Sequence, residues 1–201
     1  MNVILASQSP RRRQLLGQMG FSFTVRPAKG EELPHPELAP AQLVEELARQ
    51  KALEVSAGAG TGDVVVAADT VVAIDGKVLG KPHDKAHAAK MLSALSGREH
   101  TVYTGVAVTR GEKLLVEHEA TLVRFRPLTE HEIDLYIQTG EPMDKAGSYG
   151  IQGYGALLGE GIRGDYFNVV GLPICRLGRM LAQVGEDALA HCAQKCAEKE
   201  R

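Results

Sequence analysis

Basic and acidic side chains stand at the boundaries between the helices and strands that this sequence predicts. The basic residues are the run Arg11 to Arg13 and the single lysines Lys51, Lys81 and Lys145, and the acidic ones are Glu31, Glu32, Asp69 and Asp144. A metal-bound polyphosphate needs this combination, because lysine and arginine neutralise phosphate oxygens while a carboxylate holds the metal or orients water. Each residue alone is a weak signal, since a run of arginines or a single lysine is commonly solvated surface.

Asp69 differs from the other charged residues because of what precedes it. It follows the apolar run Val64 to Ala68, which predicts a short strand covered on both faces, and we expect Asp69 at the end of that strand. An unpaired carboxylate is costly in such surroundings. From the residues alone, catalysis and a structural role such as capping a turn both remain open for Asp69.

A strand leads into a helix near the N-terminus. Val3 to Ala6 predicts a buried strand, Ser9 can cap the following helix, and Pro10 suits its first position. Backbone N–H groups and the positive end of the helix dipole make such a junction a natural anion site. The three arginines follow it directly, so it is a candidate phosphate site.

Other catalytic motifs are missing from the sequence. It has no Walker loop, no Gly-x-Gly-x-x-Gly opening a helix after a strand, no His-Glu-x-x-His and no Gly-x-Ser-x-Gly elbow. Cys192 and Cys196 could be metal ligands, but no second Cys or His pair completes a zinc site, and two small side chains on a helical tail are the simpler interpretation. The odd count of 3 cysteines favours a reducing compartment.

The composition excludes several classes of function. A formal net charge of -2 offers no basic footprint for nucleic acid or an anionic membrane. No window approaches the roughly 20 apolar residues of a membrane helix. The N-terminus enters a strand pattern with no basic segment ahead of it, so we expect a cytoplasmic protein. With 201 residues and 44% hydrophobic content, the chain can form one compact domain with two small lobes.

The apolar periodicity predicts a mixed α/β fold. Further strands are expected at residues 21–25, 71–74, 77–79, 101–109 and 114–125, with a hairpin turn at Asp75-Gly76, and helices at 40–57, 84–95, 130–139 and 173–184. Residues 27–40 predict a loop that contains Glu31 and Glu32, and the glycine-rich stretch 140–173 predicts a long irregular segment with functional work. We divide the chain into a domain of residues 1–185 and a charged, solvated or frayed tail of residues 186–201.

Several separated segments together resemble one known family. They are Leu-Ala-Ser-Gln-Ser-Pro-Arg-Arg at 5–12, Ala-Ala-Asp-Thr-Val-Val at 67–72, Leu-Gly-Lys-Pro at 79–82, Glu-Pro-Met-Asp-Lys-Ala-Gly at 141–147, Tyr-Gly-Ile-Gln-Gly at 149–153 and Val-Val-Gly-Leu-Pro at 169–173. In this order they resemble the Maf family of nucleoside triphosphate pyrophosphatases from residue 2 to about residue 184. The resemblance implies a twisted mixed sheet with flanking helices and two lobes around a nucleotide-binding cleft, similar to inosine triphosphate pyrophosphatases.

The resemblance also implies an activity and a cofactor. Members of the family cleave nucleoside triphosphates between the α and β phosphates, need a divalent cation such as Mg²⁺ or Mn²⁺, and commonly form dimers. Asp69 matches the family's proposed catalytic base, and we expect it to hold the metal together with Glu31 or Glu32. Phosphate contacts are expected from Ser7, Arg12, Lys51 and Lys81, although a plain turn role is equally open for Ser7.

Three positions indicate the subtype. Arg11, Thr70 and Gln152 stand where the family is thought to select the base, and they resemble the dTTP/UTP subtype; the 7-methyl-GTP subtype tends to carry Trp, His and Glu there. The expected partners are therefore a pyrimidine nucleoside triphosphate and a second copy of the chain, with no nucleic acid and no membrane. The alternative is a nucleotide-binding regulator of septum formation with little turnover, but the retained acid and lysines favour an enzyme.

Overall fold

The computed structural model describes residues 2–30, 35 and 37–199, with no side-chain description for residues 198 and 199. Its strands are β1 Val3–Leu5, β2 Phe23–Val25, β3 Val64–Ile74, β4 Lys77–Leu79, β5 Glu99–Arg110, β6 Lys113–Phe125 and β7 Gly159–Arg163. Its helices are α1 Pro10–Gln18, α2 Pro40–Ser56, α3 Lys85–Leu95, α4 Glu130–Gln138, α5 Tyr166–Val170, α6 Ile174–Gln183 and α7 Ala188–Lys199. Short 3₁₀ turns cover Glu141–Asp144, Ala146–Ser148 and Tyr154–Leu157.

All of these strands belong to one mixed sheet. The order is β2-β1-β3-β5-β6-β7, and β4 pairs with β3 outside this path. β1 runs parallel to both β2 and β3, with Val3 opposite Phe23 and Val64. β4 is antiparallel to β3, and β7 is antiparallel to β6. The expected sheet that is not purely parallel is therefore confirmed.

The chain divides into two compact units, as the two-lobe prediction expected. The first unit comprises Met1–Asp69, Thr104–Glu119 and Gly171–Arg201, and the second comprises Thr70–Tyr103 and Ala120–Val170. Each unit has its own apolar core, because each half of the sheet is covered by its own helices.

The core of the first unit explains how helix α2 comes to lie on the sheet. Ala48, Ala52 and Val55 of α2 pack with Val65 and Ala67 of β3, among other apolar residues. The small alanines allow close approach, and a Cβ atom added at Gly105 of β5 would lie 2.0 Å from the Val44 carbonyl oxygen of α2. Helix α2 therefore packs directly against the backbone of β5 at Gly105, and this close contact narrowly defines its position.

The core of the second unit contains a buried histidine. His100 is 2% exposed, its Nε2 lies 2.8 Å from the Tyr149 hydroxyl, and its ring packs edge-on against Phe125 and Tyr149. Burial lowers the pKa of His100 from 6.5 to about 4, since the charged imidazolium would lose its hydration. The histidine is therefore a neutral core residue at pH 7.

The predicted hairpin turn is confirmed, and the helices α3 and α4 begin at side-chain caps. Asp75 and Gly76 both have positive φ values, 52° and 73°, as a two-residue hairpin turn requires. The Asp84 carboxylate accepts a 2.6 Å hydrogen bond from the backbone N–H of His87 and caps α3. Thr129 and Glu132 form a capping box at the start of α4.

Two predicted boundaries are wrong. β3 does not end at Ala68 but continues through Asp69 and Thr70 to Ile74, so the strands predicted at 64–68 and 71–74 are one strand. Asp69 and Thr70 interrupt the apolar pattern of the side chains but not the pairing of the backbone.

The stretch 140–173 is not irregular throughout, because it contains the 3₁₀ turns, β7 and α5. These elements have at most 5 residues each, which is too short for a clear period.

The segment 186–201 contains helix α7 and a buried carboxylate. Asp187 accepts hydrogen bonds from the backbone N–H groups of Leu189 and Ala190, 2.9 and 3.2 Å away, where α7 begins. Glu186 is buried, and its Oε1 lies 3.1 Å from Nη1 of Arg110. No helix within the described residues is long and apolar enough to cross a bilayer.

Candidate functional site

An ion pair in the first unit joins two of the predicted site residues. Nζ of Lys51 on α2 lies 2.5 Å from Oδ1 of Asp69 on β3. The side chains are only 18% and 13% exposed, respectively. A poorly hydrated charge needs a partner of opposite sign, and Lys51 and Asp69 are such partners for each other. The ion pair thus fixes the Asp69 carboxylate at the last residue of β3 that belongs to the first unit.

The sequence periods of the two elements explain why these residues meet. Along β3, Asp69 shares a face with Val65 and Ala67, because side chains of a strand alternate. Along α2, Lys51 follows Ala48 by three residues and precedes Val55 by four, which places it on the packed face of the helix. Val65, Ala67, Ala48 and Val55 belong to one core cluster, so the ion pair lies where the two apolar faces continue into polar residues.

Arg12 connects helix α1 to the backbone next to Asp69. Its Nη1 donates to the Ala68 carbonyl oxygen at 2.8 Å and to Ser7 Oγ at 3.3 Å, and its Nε donates to the Gly171 carbonyl oxygen at 2.8 Å. The rigid guanidinium plane suits such simultaneous contacts. Arg12 therefore links α1 to the residues that follow β1 and to the middle of β3, a role that the sequence did not indicate.

The start of α1 has the predicted geometry. Ser9 is the N-cap and accepts from the backbone N–H of Arg12 at 3.4 Å, and Pro10 is the first helical residue. The buried Ser7 hydroxyl also accepts from the backbone N–H of Ser9 at 3.2 Å, so Ser7 does have a turn role. Arg11 is half-buried. The first unit thus brings Ser7, Arg12, Lys51 and Asp69 together through α1, α2 and β3.

The remaining predicted site residues fall elsewhere. Thr70, Lys81 and Gln152 belong to the second unit, where Thr70 is half-buried in β3 and Lys81 and Gln152 are exposed. Gln152 lies in the segment Gly150 to Gly155, which contacts Glu141 and Tyr136. The sequence suggested no role for Glu141 or Tyr136. Glu31 and Glu32 lie outside the described residues.

The carboxylates of the described residues can be considered as ligands for a divalent cation. Within this part of the chain, no group of three or more His, Cys, Asp or Glu side chains is arranged to hold a metal, and this includes Cys192 and Cys196. Mg²⁺ often uses only one or two protein carboxylates and takes its other ligands from substrate phosphates and water. The Asp69 carboxylate, which is 13% exposed, fits a metal that binds together with a nucleotide.

Comparison with known proteins places the chain among related sequences. It matches the model of the Maf-like protein family over residues 2–184. It is 55% identical over 184 residues to the dTTP/UTP pyrophosphatase of Symbiobacterium thermophilum, covering 91% of this chain and 94% of the relative. It is 54% identical over 187 residues to the dTTP/UTP pyrophosphatase of Moorella thermoacetica, covering 92% and 96%.

A solved structure of a nucleoside-triphosphatase / dITP/XTP pyrophosphatase from Mycobacterium abscessus has a TM-score of 0.47 and 18% identity, covering 92% of this chain and 98% of that one. The family itself follows from the sequence matches, since the family model spans the three segments that supply Arg12, Lys51 and Asp69. The chain belongs to the Maf-like protein family.

Proposed function

We propose that the protein hydrolyses dTTP and UTP to the nucleoside monophosphate and pyrophosphate. The observation that carries this proposal is the Asp69 carboxylate, held 2.5 Å from Lys51 in a poorly hydrated setting. Relatives that are 55% and 54% identical to this chain bear the name dTTP/UTP pyrophosphatase, which supports the same substrates here. The names also favour an enzyme over the alternative, a nucleotide-binding regulator of septum formation with little turnover.

Asp69 is the general base in this proposal. A water oxygen attacks the α phosphorus, the bond from that phosphorus to the α–β bridging oxygen breaks, and pyrophosphate leaves with the bridging oxygen. The water proton passes to a carboxylate oxygen of Asp69. The Lys51 ammonium holds Oδ1 in place, which keeps the base in one orientation during the attack.

Positive groups in the first unit neutralise the phosphates. The start of α1 offers backbone donors and the positive end of the helix dipole, next to Ser7 and Arg12. Arg12 also donates to the carbonyl oxygen of Ala68, the residue directly before Asp69, so it helps to fix the backbone that carries the general base. Lys51 adds positive charge beside Asp69, and we propose Lys81 of the second unit as a further phosphate contact.

In this proposal the nucleobase is selected by Arg11, Thr70 and Gln152. Uracil and thymine present an N3–H donor beside the O4 acceptor. The Gln152 amide carries one acceptor and one donor group, so it can satisfy both atoms of the base together. Its exposed position in the second unit leaves the amide accessible to a ligand.

A divalent cation, Mg²⁺ or Mn²⁺, would be held by Asp69 with Glu31 or Glu32. When bound, it would neutralise charge on the phosphates of the nucleotide. We further propose that the protein is a cytoplasmic homodimer that removes pyrimidine nucleoside triphosphates from the nucleotide pool, with a role in arresting cell division.

A panel of nucleoside triphosphates tests the proposed function. Wild-type protein with Mg²⁺ or Mn²⁺ should release pyrophosphate fastest from dTTP and UTP, and slower from CTP, ATP and GTP. The matched control is Asp69→Asn, which keeps the shape of the side chain but cannot accept the proton. No pyrophosphate from any substrate, or release of dTDP and inorganic phosphate from dTTP, would contradict the proposal.

A further inference from the structure

The segment that carries Gln152 has an unusual composition. Gly150 to Gly155 reads Gly-Ile-Gln-Gly-Tyr-Gly, and Gln152 and Gly153 are exposed. Glycine has more backbone freedom than other residues, so a glycine-rich segment loses more conformational entropy when it is ordered. A side chain that must present an amide to a base therefore needs its backbone held from outside the segment.

Glu141 holds the second half of this segment. Its Oε2 accepts from the backbone N–H of Tyr154 at 2.9 Å, and its Oε1 accepts from the backbone N–H of Gly155 at 3.0 Å. Hydrogen bonds to an ionised carboxylate are stronger than those between neutral groups. One side chain thus fixes two consecutive backbone groups just after Gln152.

Tyr136 holds the first residue of the segment. Its hydroxyl donates to Glu141 Oε1 at 2.8 Å and accepts from the backbone N–H of Gly150 at 3.1 Å. Lys145 completes the arrangement, because its Nζ donates to the Glu141 carbonyl oxygen at 2.7 Å. Tyr136, Glu141 and Lys145, which we call the Glu141 clamp, therefore contact the backbone or each other on both sides of Gln152.

The glycines allow this close contact. A Cβ atom at Gly153 would lie 2.1 Å from Oε2 of Glu141, and one at Gly150 would lie 2.8 Å from Cε of Lys145. A Cβ atom at Gly155 would lie 2.7 Å from the Tyr136 hydroxyl. A side chain at Gly150 or Gly153 would push on the clamp side chains, and one at Gly155 would also meet the Gly150 carbonyl oxygen, so these contacts depend on glycine at the three positions.

The protonation states support the same hydrogen bonds at neutral pH. Burial alone would raise the pKa of Glu141, but the backbone donors of Gly155 and Tyr154 and the Tyr136 hydroxyl together lower the pKa below its usual value. Burial raises the pKa of Tyr136, so its phenol keeps the proton that it donates. The carboxylate accepts and the hydroxyl donates, as the distances indicate.

We propose that Glu141 is a positioning residue for base recognition, because its carboxylate fixes the backbone on which Gln152 presents its amide. The inference rests on the proposed function, in which Gln152 contacts the base edge. A recognition group must stay within about 0.5 Å of its productive place, and hydrogen bonds from neighbouring residues supply that precision. Tyr136 acts in the same way through its hydroxyl, while Gln152 itself touches the substrate.

The test uses Glu141→Gln and Tyr136→Phe, with Glu160→Gln as the matched control. In Glu141→Gln one acceptor oxygen becomes an NH₂ group, which faces a donor, and a mismatch of this kind should lower the ratio of kcat/KM for dTTP to that for GTP by about ten-fold. The loss should appear mainly in KM for dTTP. Tyr136→Phe should shift the ratio in the same direction by less. Glu160 pairs with Arg124 on the exposed face of β7, so its variant should leave the ratio unchanged.

A second arm separates positioning from general destabilisation. In a Gln152→Ala background, Glu141→Gln should change the dTTP to GTP ratio by less than about two-fold, because the group that it positions is gone. An equal loss for all substrates, or an unchanged ratio in a wild-type background that does turn over dTTP, would overturn the inference alone. A wild-type protein that makes no pyrophosphate from dTTP would overturn the proposed function and the inference with it.

Discussion

The Lys51–Asp69 ion pair should stabilise the fold as well as form part of the site. Lys51→Met removes the ammonium that lies 2.5 Å from Asp69 Oδ1 but keeps an unbranched apolar side chain on the packed face of α2. The Asp69 carboxylate, 13% exposed, then loses its counter-charge in poorly hydrated surroundings. We expect Lys51→Met to destabilise the protein, and the second substitution Asp69→Asn to reverse part of that loss.

The exposed fractions set the size of this effect. Breaking a fully buried ion pair costs about 3–5 kcal/mol, whereas exposed pairs contribute about 0–1 kcal/mol. At 18% and 13% exposure this pair lies nearer the buried limit. We therefore expect Lys51→Met to lower the free energy of unfolding by about 2–3 kcal/mol, or about 4–12 °C in Tm for a chain of this length.

Urea unfolding at pH 7 measures this prediction as a double-mutant cycle. The wild type, Lys51→Met, Asp69→Asn and the double variant should show a coupling of about 2 kcal/mol between the two sites. Lys90→Met, at an exposed position of helix α3, is the matched control and should change stability by less than about 0.5 kcal/mol. Additive effects within about 0.5 kcal/mol would show that the ion pair does not contribute to folding and would refute this reasoning.

Three further predictions concern the general base, the substrate specificity and the protonation of a buried histidine. Asp69→Asn should lower kcat for dTTP by about 10²-fold or more without loss of the folded state by circular dichroism, and near-normal turnover would exclude Asp69 as the base. Gln152→Glu should lower kcat/KM for dTTP and UTP by about ten-fold to a hundred-fold, because a carboxylate offers the base O4 no donor; unchanged substrate ratios would remove Gln152 from the base edge. The pKa of His100 falls from 6.5 unfolded to about 4 folded, so the unfolded state binds the proton first and stability declines as the pH falls through this window. From pH 7 to 5 this loss should be about 2 kcal/mol by urea unfolding, and an equally steep decline in His100→Gln would assign it to other groups.

Much of the fold follows from local signals in the sequence. The turn at Asp75-Gly76, the Ser9 cap and the helix start at Pro10 each depend on residues within one or two turns, and the structure has all three. The continuity of β3 was not predicted, because pairing along Asp69 and Thr70 depends on neighbouring strands rather than on their own side chains. β7 and α5 were missed because at most 5 residues cannot show a period.

The candidate site was predicted as a set of residues but not as a set of contacts. Resemblance to the Maf family indicated Asp69 and Lys51, yet their ion pair depends on how α2 packs against β3. Arg12 donates to the carbonyl oxygens of Ala68 and Gly171, and Glu141 accepts from backbone N–H groups. Contacts to backbone leave no residue-type signal in the sequence of the partner, so a sequence pattern could not reveal them.

Hydrolysis of dTTP in water enriched in oxygen-18 tests the central claim most directly. If water attacks the α phosphorus, wild-type protein with Mg²⁺ should release dTMP that carries one labelled oxygen and pyrophosphate that carries none, as mass spectrometry of the two products would show. Label in the pyrophosphate would place the attack at the β phosphorus and contradict the proposed mechanism. Labelled inorganic phosphate with dTDP would contradict the proposed activity itself.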